Sequence, residues 1–221
     1  MKVYKYPDRS EWADICLRPH LDVSSLNSAV SDILDDVRLR GDEAIKEYEA
    51  RFDHALIDEL IVSTEEKTEA MASIDRELLD AIKLAHNNIY KFHKAQQMSV
   101  CKVETSSGVV CWQKQLPIEH VGLYIPGGTA PLFSTVLMLA TPAKIAGCRE
   151  IVLCTPPMAD GKVNPAILAA ANVVGVDKVF KIGGVQAIGA MAFGSQTVPK
   201  VYKIFGPGNQ YVMAAKQHVS L

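Results

Sequence analysis

The sequence has no long apolar run. No segment of its 221 residues approaches the roughly 18 consecutive apolar residues that a membrane-spanning helix needs. The first residues, Met1 to Pro7, also lack the apolar core of a secretory signal peptide. These absences predict a protein that does not enter a membrane and that works in the cytoplasm.

A strong charge of one sign is also missing. The formal net charge is -2, which excludes the basic surface typical of nucleic-acid-binding proteins. The charge is unevenly placed, however, since residues 1–110 hold 14 basic and 21 acidic side chains and residues 111–221 hold 9 and 4. A basic second half favours an anionic small molecule as the ligand. The alternative is that a buried sheet in that half simply holds few carboxylates.

Cysteine and histidine are too scattered to predict a metal site. The cysteines are Cys16, Cys101, Cys111, Cys148 and Cys154. Their odd number and the lack of C-x-x-C spacing argue against a disulfide framework and against a zinc ribbon. His86 and His93 lie two helical turns apart, with no histidine or carboxylate four residues away. We interpret both histidines as part of a solvated helix surface and expect no metal ligand in this sequence.

Glycine is nearly absent from the first half, where only Gly41 of the 14 glycines precedes residue 108. Apolar residues there recur at helical spacing, first from Ser24 to Gly41 and then in segments up to Phe92. Asp42, directly after the glycine, is a candidate cap for the second helix. The short apolar segment Leu60–Val62 predicts a small strand between helices.

A predicted hairpin closes this half of the chain. Val103–Val110 surrounds a Ser-Ser-Gly turn, and the second strand continues over Cys111–Leu116 until Pro117 ends it. We divide the half into an N-terminal arm, residues 1–23, with a short helix from Ser10 to Leu17, and a mainly helical region, residues 24–120, that ends with the hairpin.

From residue 121 onward, short apolar runs alternate with helical patterns. The predicted strands are Val121–Ile125, Ile151–Cys154, Lys178–Ile182 and Val201–Phe205. The helical patterns that follow them begin at Pro131 or Phe133 and run to Ala146, and then span Pro165–Val174, Gln186–Phe193 and Asn209–His218. Four strands, each followed by a helix, predict an α/β fold with a parallel, Rossmann-like sheet and right-handed crossovers. We assign residues 121–221 to this Rossmann-like domain.

Three glycine-containing loops follow strands of this domain and would lie at one edge of the sheet. They are Tyr124–Thr129, Gly183–Gln186 and Gly206–Asn209. Glycine lets the backbone approach a ligand, and N–H groups at helix starts attract anions. Tyr124 can stack and hydrogen-bond, Gln186 offers a donor and an acceptor, and Asn209 can either cap a helix or bind a ribose or nicotinamide group. One such loop is commonly only a tight turn, but three at one edge favour a ligand site.

The fingerprint of dinucleotide-binding folds, G-x-G-x-x-G after the first strand, is absent. An acidic residue at the end of the second strand, which binds the ribose in such folds, is absent as well, because that strand runs into Thr155-Pro156-Pro157. The residues alone therefore indicate a nucleotide or phosphate ligand without identifying it.

No catalytic set is evident. Ser134 and Thr135 lack a nearby base, and His120 precedes the first strand at the edge opposite the loops. His218 lies near the end of the last helix, where a positive charge favours the helix dipole. The carboxylates after residue 110 all fall away from the loop edge; they are Glu119, Glu150, Asp160 and Asp177. We therefore name no catalytic residue in this sequence.

Long motifs resemble histidinol dehydrogenases. They are DILDDVRLRGDEAIKEYEARFD from Asp32, GLYIPGGTAPLFSTVLMLATPAKIAGC from Gly122, KIGGVQAIGAMAFG from Lys181 and VPKVYKIFGPGNQYV from Val198. The resemblance implies the last step of histidine biosynthesis, in which L-histidinol is oxidised through histidinal to L-histidine and two NAD⁺ are reduced. It also implies NAD contacts at Tyr124, Gln186 and Asn209, with Pro126 and Gly208 lining the same site.

The resemblance further implies a family chain about twice this length. In the family, the zinc ligands and a Glu-His pair for general acid/base chemistry follow the motifs present here, so we expect them beyond residue 221 and expect an incomplete sheet. Members of the family work as homodimers. We therefore expect the N-terminal, NAD-binding portion of such an enzyme, inactive alone. The alternative is a catalytically inactive α/β fragment with weak or no nucleotide binding.

Overall fold

The computed structural model describes residues 2–17, 24–128 and 130–220. Residues 18–23 of the predicted arm lie outside the described residues, as do Thr129 of the first loop and Leu221. Nothing in the structure therefore bears on those parts of the predictions.

Helices dominate the first half of the described chain, and strands alternate with helices in the second. The helices are α1 (Trp12–Ile15), α2 (Ser24–Arg40), α3 (Asp42–Tyr48), α4 (Thr64–Ser73), α5 (Arg76–Ala95), α6 (Phe133–Ala146), α7 (Pro165–Val174), α8 (Gly184–Phe193) and α9 (Gln210–His218). The strands are β1 (Lys102–Ser106), β2 (Val109–Trp112), β3 (His120–Tyr124), β4 (Glu150–Thr155), β5 (Lys178–Lys181) and β6 (Lys203–Phe205). A 3₁₀ turn, Arg9–Glu11, precedes α1, and a π-helical turn, Glu49–Asp53, extends α3. Among the described residues, no helix combines the length and apolarity needed to cross a membrane.

Strands β3 to β6 form one parallel sheet with the order β5-β4-β3-β6. Val121 of β3 pairs with Ile151 of β4 on one side and with Lys203 of β6 on the other. The central strands are rich in valine, leucine and isoleucine and are buried, as expected where helices cover both faces of a sheet. This arrangement confirms the predicted α/β class with a Rossmann-like sheet.

Two predicted strands are shorter in the structure. The segment Leu60–Val62 makes only a single antiparallel bridge, between Ile61 and Phe180 of β5. Its pairing ends at once because α4 begins two residues later. The last strand begins at Lys203 rather than Val201, because the Val201 N–H donates to the carbonyl of Met191 in α8 instead of to a neighbouring strand.

Helices from the first half cover both faces of the sheet. On one face, Val30, Leu34 and Val37 of α2 are buried against α8 and α9. On the other face, Ile82 of α5 lies buried in a second apolar cluster that includes Leu137 of α6. Both clusters thus combine residues from before and after residue 120, and the predicted domain division at that residue stays a prediction.

The predicted hairpin is confirmed, although it is shorter than expected. β1 and β2 pair antiparallel, with Lys102 opposite Trp112. The second strand ends at Trp112, opposite the first residue of β1, rather than at Leu116. Every residue of both strands is exposed, so the hairpin extends away from the described helices.

Two local predictions in the first half need correction. Asp42 is the first residue of α3 rather than its cap, a position held by Gly41 at a φ of 60°. The Asp42 carboxylate instead accepts hydrogen bonds from the backbone N–H and the hydroxyl of Thr197, which tie α3 to the segment after α8. The helix predicted from Ser10 to Leu17 spans only Trp12–Ile15, after the 3₁₀ turn that Asp8 caps.

Candidate functional site

A cavity of about 1240 Å³ opens at the carboxyl ends of the parallel strands. Residues of all three predicted loops line it, and so does a fourth loop after β4, Thr155–Met158. Residues of α2 and of the π-helical turn form another wall. Ligands of parallel α/β sheets bind at this edge, so we treat this cavity as the candidate functional site.

The structure brings the five sequence-predicted residues to this one cavity. They are Tyr124, Pro126, Gln186, Gly208 and Asn209, and each of them lines its wall. They come from three separate loops, and the parallel strand order places those loops side by side. Their role as ligand contacts stays a prediction.

Tyr124 lies at the carboxyl end of β3 with only 4% of its surface exposed. Its hydroxyl oxygen accepts a hydrogen bond from the N–H of Gly184 at 3.1 Å, which joins the first loop to the start of α8. Burial raises the pKa of Tyr124 to about 12, so the hydroxyl keeps its proton at neutral pH. The O–H group therefore remains a donor at the cavity.

Gln186 is fully buried in the first turn of α8, which begins at Gly184, two residues earlier than predicted. Its Nε2 donates to Oε1 of Glu49 at 2.8 Å. Its own Oε1 has no hydrogen-bond partner within the described parts of the chain. A buried acceptor left unpaired costs about 1–3 kcal/mol, so this atom is suited to receive an N–H from a ligand.

Asn209 caps α9, as one of the two sequence-based alternatives predicted. Its Oδ1 accepts hydrogen bonds from the N–H groups of Tyr211 and Val212, each at 3.1 Å. The cap uses the oxygen alone, which leaves the Nδ2 hydrogens for a second partner. The side chain is exposed at the cavity wall, so Asn209 can cap the helix and still contact a ligand.

Gly206 brings the last loop into contact with the first. Its φ of 139° is rarely adopted by residues with a side chain, and a Cβ at this position would overlap the carbonyl oxygen of Tyr124. Lys216 of α9 donates from Nζ to the Gly206 carbonyl at 3.0 Å. Partial burial lowers the pKa of Lys216. The lysine thus helps to hold the loop against β3.

Two carboxyl groups that the sequence analysis did not select lie at the base of the cavity. Glu49 is fully buried, and its Oε1 accepts hydrogen bonds from the Gly183 N–H at 2.9 Å and from Gln186. Asp53 lines the cavity, and a Cβ on Gly183 would lie 2.8 Å from its Oδ2. The sequence holds one indication that Glu49 is buried. Glu49 follows the buried Ile45 by four residues, so it lies on the same apolar face of the helix.

Aromatic and cationic groups from the end of α3 and the π-helical turn line the cavity beside these carboxyls. The rings of Tyr48 and Phe52 are stacked, with centroids 5.6 Å apart. The Arg51 guanidinium lies 5.2 Å from the Phe52 ring centroid. An aromatic surface beside a cation suits a ligand that carries both a flat ring and a negative charge.

The other candidate residues lie elsewhere. His120, at the opposite end of β3, contacts Glu150 Oε2 through Nδ1 at 2.6 Å, and Glu150 also pairs with Lys178. His93 contacts Gln96 on the surface of α5. Among the described residues, no group of three or more His, Cys, Asp and Glu side chains is placed to hold a metal ion. The expected zinc ligands beyond residue 221 stay a prediction.

Comparison with known proteins identifies the family. A protein-family model described as histidinol dehydrogenase matches residues 16–221. The chain belongs to the histidinol dehydrogenase family. The crystal structure of histidinol dehydrogenase from Elizabethkingia anophelis matches it with a TM-score of 0.92 and 48% sequence identity, over 97% of this chain and 49% of that chain.

Individual histidinol dehydrogenases show the same relationship. The chain is 61% identical over 221 residues to the enzyme of Bacteroides thetaiotaomicron, which covers all of this chain and 52% of that protein. It is 52% identical over 207 residues to histidinol dehydrogenase of Escherichia coli, which covers 93% of this chain and 47% of that protein. The chain therefore spans about half the length of these relatives, in agreement with the expectation from its motifs.

Proposed function

We propose that this chain binds NAD⁺ as the nucleotide-binding portion of a histidinol dehydrogenase. The whole enzyme would oxidise L-histidinol through histidinal to L-histidine, the last step of histidine biosynthesis, with reduction of two NAD⁺. Bound NAD⁺ would supply the hydride acceptor for that oxidation. The proposal rests on the family membership and on the cavity at the strand ends.

The unpaired Oε1 of Gln186 is the observation that carries this proposal. Gln186 lines the cavity, and its buried Oε1 lacks a donor within the described residues. The adenine amino group and the nicotinamide carboxamide of NAD⁺ each offer N–H donors of the kind this acceptor needs. Either would remove the cost of an unpaired buried oxygen, which supports a nucleotide over a simple anion.

Several groups around the cavity suit a dinucleotide diphosphate, while Asp32 and Asp53 also line it. The N-terminal ends of α8 and α9 both lie at the cavity, where their dipoles favour negative charge. Arg51 adds a cation at the same wall. Tyr48 and Phe52 offer a ring surface on which a base can stack. In this arrangement the side chains bind and orient the ligand, and none of them is assigned to the proton transfers.

The remaining chemistry is proposed to come from residues beyond this sequence. By resemblance to the family, zinc would position L-histidinol, and a Glu-His pair would act as general acid and base. The full-length enzyme would be a homodimer. No residue among the 221 is assigned to these roles, so we expect the chain alone to bind the nucleotide without turning over substrate.

Calorimetric titration of the chain with NAD⁺ tests this proposal. We expect saturable binding by the wild type and binding about tenfold weaker in Gln186→Met, since the variant keeps the length of the side chain but loses the acceptor. Gln217→Met, an exposed position on α9 away from the cavity, is the matched control and should bind as the wild type does. A folded chain without saturable binding would contradict the proposal and favour the alternative of a fragment that does not bind nucleotide.

A further inference from the structure

Glu49 is a fully buried carboxyl group that meets the first turn of α8. One of its oxygens, Oε1, receives both available donors, the Gly183 N–H at 2.9 Å and Gln186 Nε2 at 2.8 Å. Neither donor carries a charge. A buried carboxylate held only by neutral groups is costly, so this environment favours the uncharged acid.

The second oxygen of Glu49, Oε2, is buried and has no hydrogen-bond partner among the described residues. An unpaired buried oxygen costs less on a neutral acid than on a carboxylate, so this geometry favours a proton on Glu49. Asp53, four residues later, is less buried and lines the cavity, where a negative charge is easier to hold.

The pKa values agree with this geometry. Burial, together with the neighbouring charge of Asp53, raises the pKa of Glu49 to about 8. Burial also raises the pKa of Asp53 above its usual value. Both shifts favour retention of a proton by these two carboxyls, as expected of neighbouring acidic groups.

This contact decides which end of the Gln186 amide faces the ligand. Since Nε2 donates to Glu49, Oε1 is left as the free acceptor, next to Gly184 at the cavity wall. The reversed amide would set its oxygen against Oε1 of Glu49, and two acceptors repel each other. A fixed acceptor at this position selects a ligand donor.

We propose that Glu49 is a positioning residue of the nucleotide site: Oε1 of its neutral acid group accepts a hydrogen bond from Gln186 Nε2 and holds the amide with Oε1 of Gln186 free for the ligand. The ligand part of this inference rests on the proposed NAD⁺ site. Ionisation of Glu49 would place a second negative charge beneath the cavity and weaken the binding of a diphosphate.

Other ionisable groups also lie around Glu49. Tyr124 of β3 and Cys154 of β4 face it, and burial raises the pKa of the tyrosine to about 12 and raises that of the thiol. The same turn contributes Asp53, and His54 follows it. At the start of α8, the uncharged Gly183 and Gln186 donate to it. A pH-dependent change is therefore assigned to Glu49 only where Glu49→Gln abolishes it.

A first experiment needs no ligand. The side-chain amide signals of Gln186 are followed by ¹H–¹⁵N NMR from pH 6 to 9.5 in the wild type and in Glu49→Gln. We expect the wild-type signals to shift with a midpoint above pH 7 and those of Glu49→Gln to stay constant, because the glutamine cannot ionise. Wild-type signals that do not move over this range would overturn the inference.

A second experiment measures the dissociation constant for NAD⁺ by calorimetry over the same range. We expect it to rise about fivefold in the wild type between pH 6.5 and 9 and to change less than twofold in Glu49→Gln over the same range. Glu49→Ala should bind about tenfold more weakly at every pH, because Gln186 loses its anchor. An equal pH dependence in the wild type and Glu49→Gln would overturn the inference. A titrating Gln186 signal without any NAD⁺ binding would contradict the proposed nucleotide site and leave the contact between Glu49 and Gln186 standing.

Discussion

Asn209 shows how one side chain can serve a helix and a ligand through different atoms. Its Oδ1 holds the N–H groups of Tyr211 and Val212, so the oxygen is committed to the start of α9. Its Nδ2 takes no part in that cap. Because the two roles use two atoms, a substitution that keeps one of them separates helix stability from ligand binding.

We predict different outcomes for two substitutions at Asn209. Asn209→Ala should lower the free energy of unfolding by about 1 kcal/mol, since alanine cannot cap a helix, whereas Asn209→Ser should cost only a few tenths because serine caps well. Both should weaken NAD⁺ binding, because both lose the amide nitrogen. Urea unfolding and calorimetric titration measure the two effects. Normal NAD⁺ affinity in Asn209→Ser would show that Asn209 acts only as a cap.

The π-helical turn Glu49–Asp53 is the element that brings carboxyl groups to the sheet edge. It extends α3, whose residues Ala44 and Ile45 are buried, and it ends at His54, which has a left-handed φ of 56°. The wider turn points Glu49 and Asp53 toward Gly183. Such turns occur frequently at functional sites, and here the turn supplies the acidic groups that the loop after β4 lacks.

We predict that stability falls as the pH rises toward 8. The pKa of Glu49 is about 8 in the folded chain, against 4.5 for a free glutamate side chain. Because the pKa is raised in the folded chain, the protonated carboxyl contributes its full stabilisation below pH 4.5. This contribution to the free energy of unfolding is lost progressively as the pH rises from 4.5 to about 8. The slope is at most about 1.4 kcal/mol for each pH unit.

Urea unfolding at intervals between pH 5 and 9 measures this slope. Glu49→Gln is the matched variant, because it keeps the size and the acceptor oxygen but has no proton to lose. We expect a smaller decline in the variant than in the wild type over the same range. Parallel declines in both proteins would assign the effect to other groups.

The two apolar clusters each combine residues from both halves of the chain. Val30, Leu34, Val37 and Ile45 from the first half are buried on one face of the sheet, and Ile82 is buried on the other. Burying each such side chain contributes about 1.5–3 kcal/mol. Together they contribute about 10 kcal/mol, which is comparable to the total stability of a typical domain.

We therefore predict that residues 121–221 do not fold when expressed alone, although they hold the whole parallel sheet. Far-UV circular dichroism and thermal unfolding should show no cooperative transition for this fragment. The matched control is a fragment of residues 24–221, which should melt as the full chain does because residues 2–17 contribute no buried residue. A cooperative transition for residues 121–221 would support the predicted domain division at residue 120.

Much of the fold was predictable because its signals are local. The strands β3 to β5 and their helices follow apolar runs and helical spacing, and the Ser-Ser-Gly turn marks the hairpin. The errors arose where a distant partner decides the outcome. Asp42 binds Thr197 instead of capping α3, and Val201 donates to α8 instead of joining β6.

In the candidate site, too, some residues were predictable from local sequence and others depend on distant partners. Tyr124, Gln186 and Asn209 were identifiable from the sequence because each belongs to a glycine loop that directly follows a strand, and parallel strands place such loops at one edge. The role of Glu49 was not predictable from its place on the apolar face of the helix, because its partner Gly183 is 134 residues away and only the folded chain brings them together. Local backbone preferences thus specify the strands, the turns and the loop residues, whereas the protonation of a buried carboxyl and the orientation of an amide depend on neighbours that only the folded chain assembles.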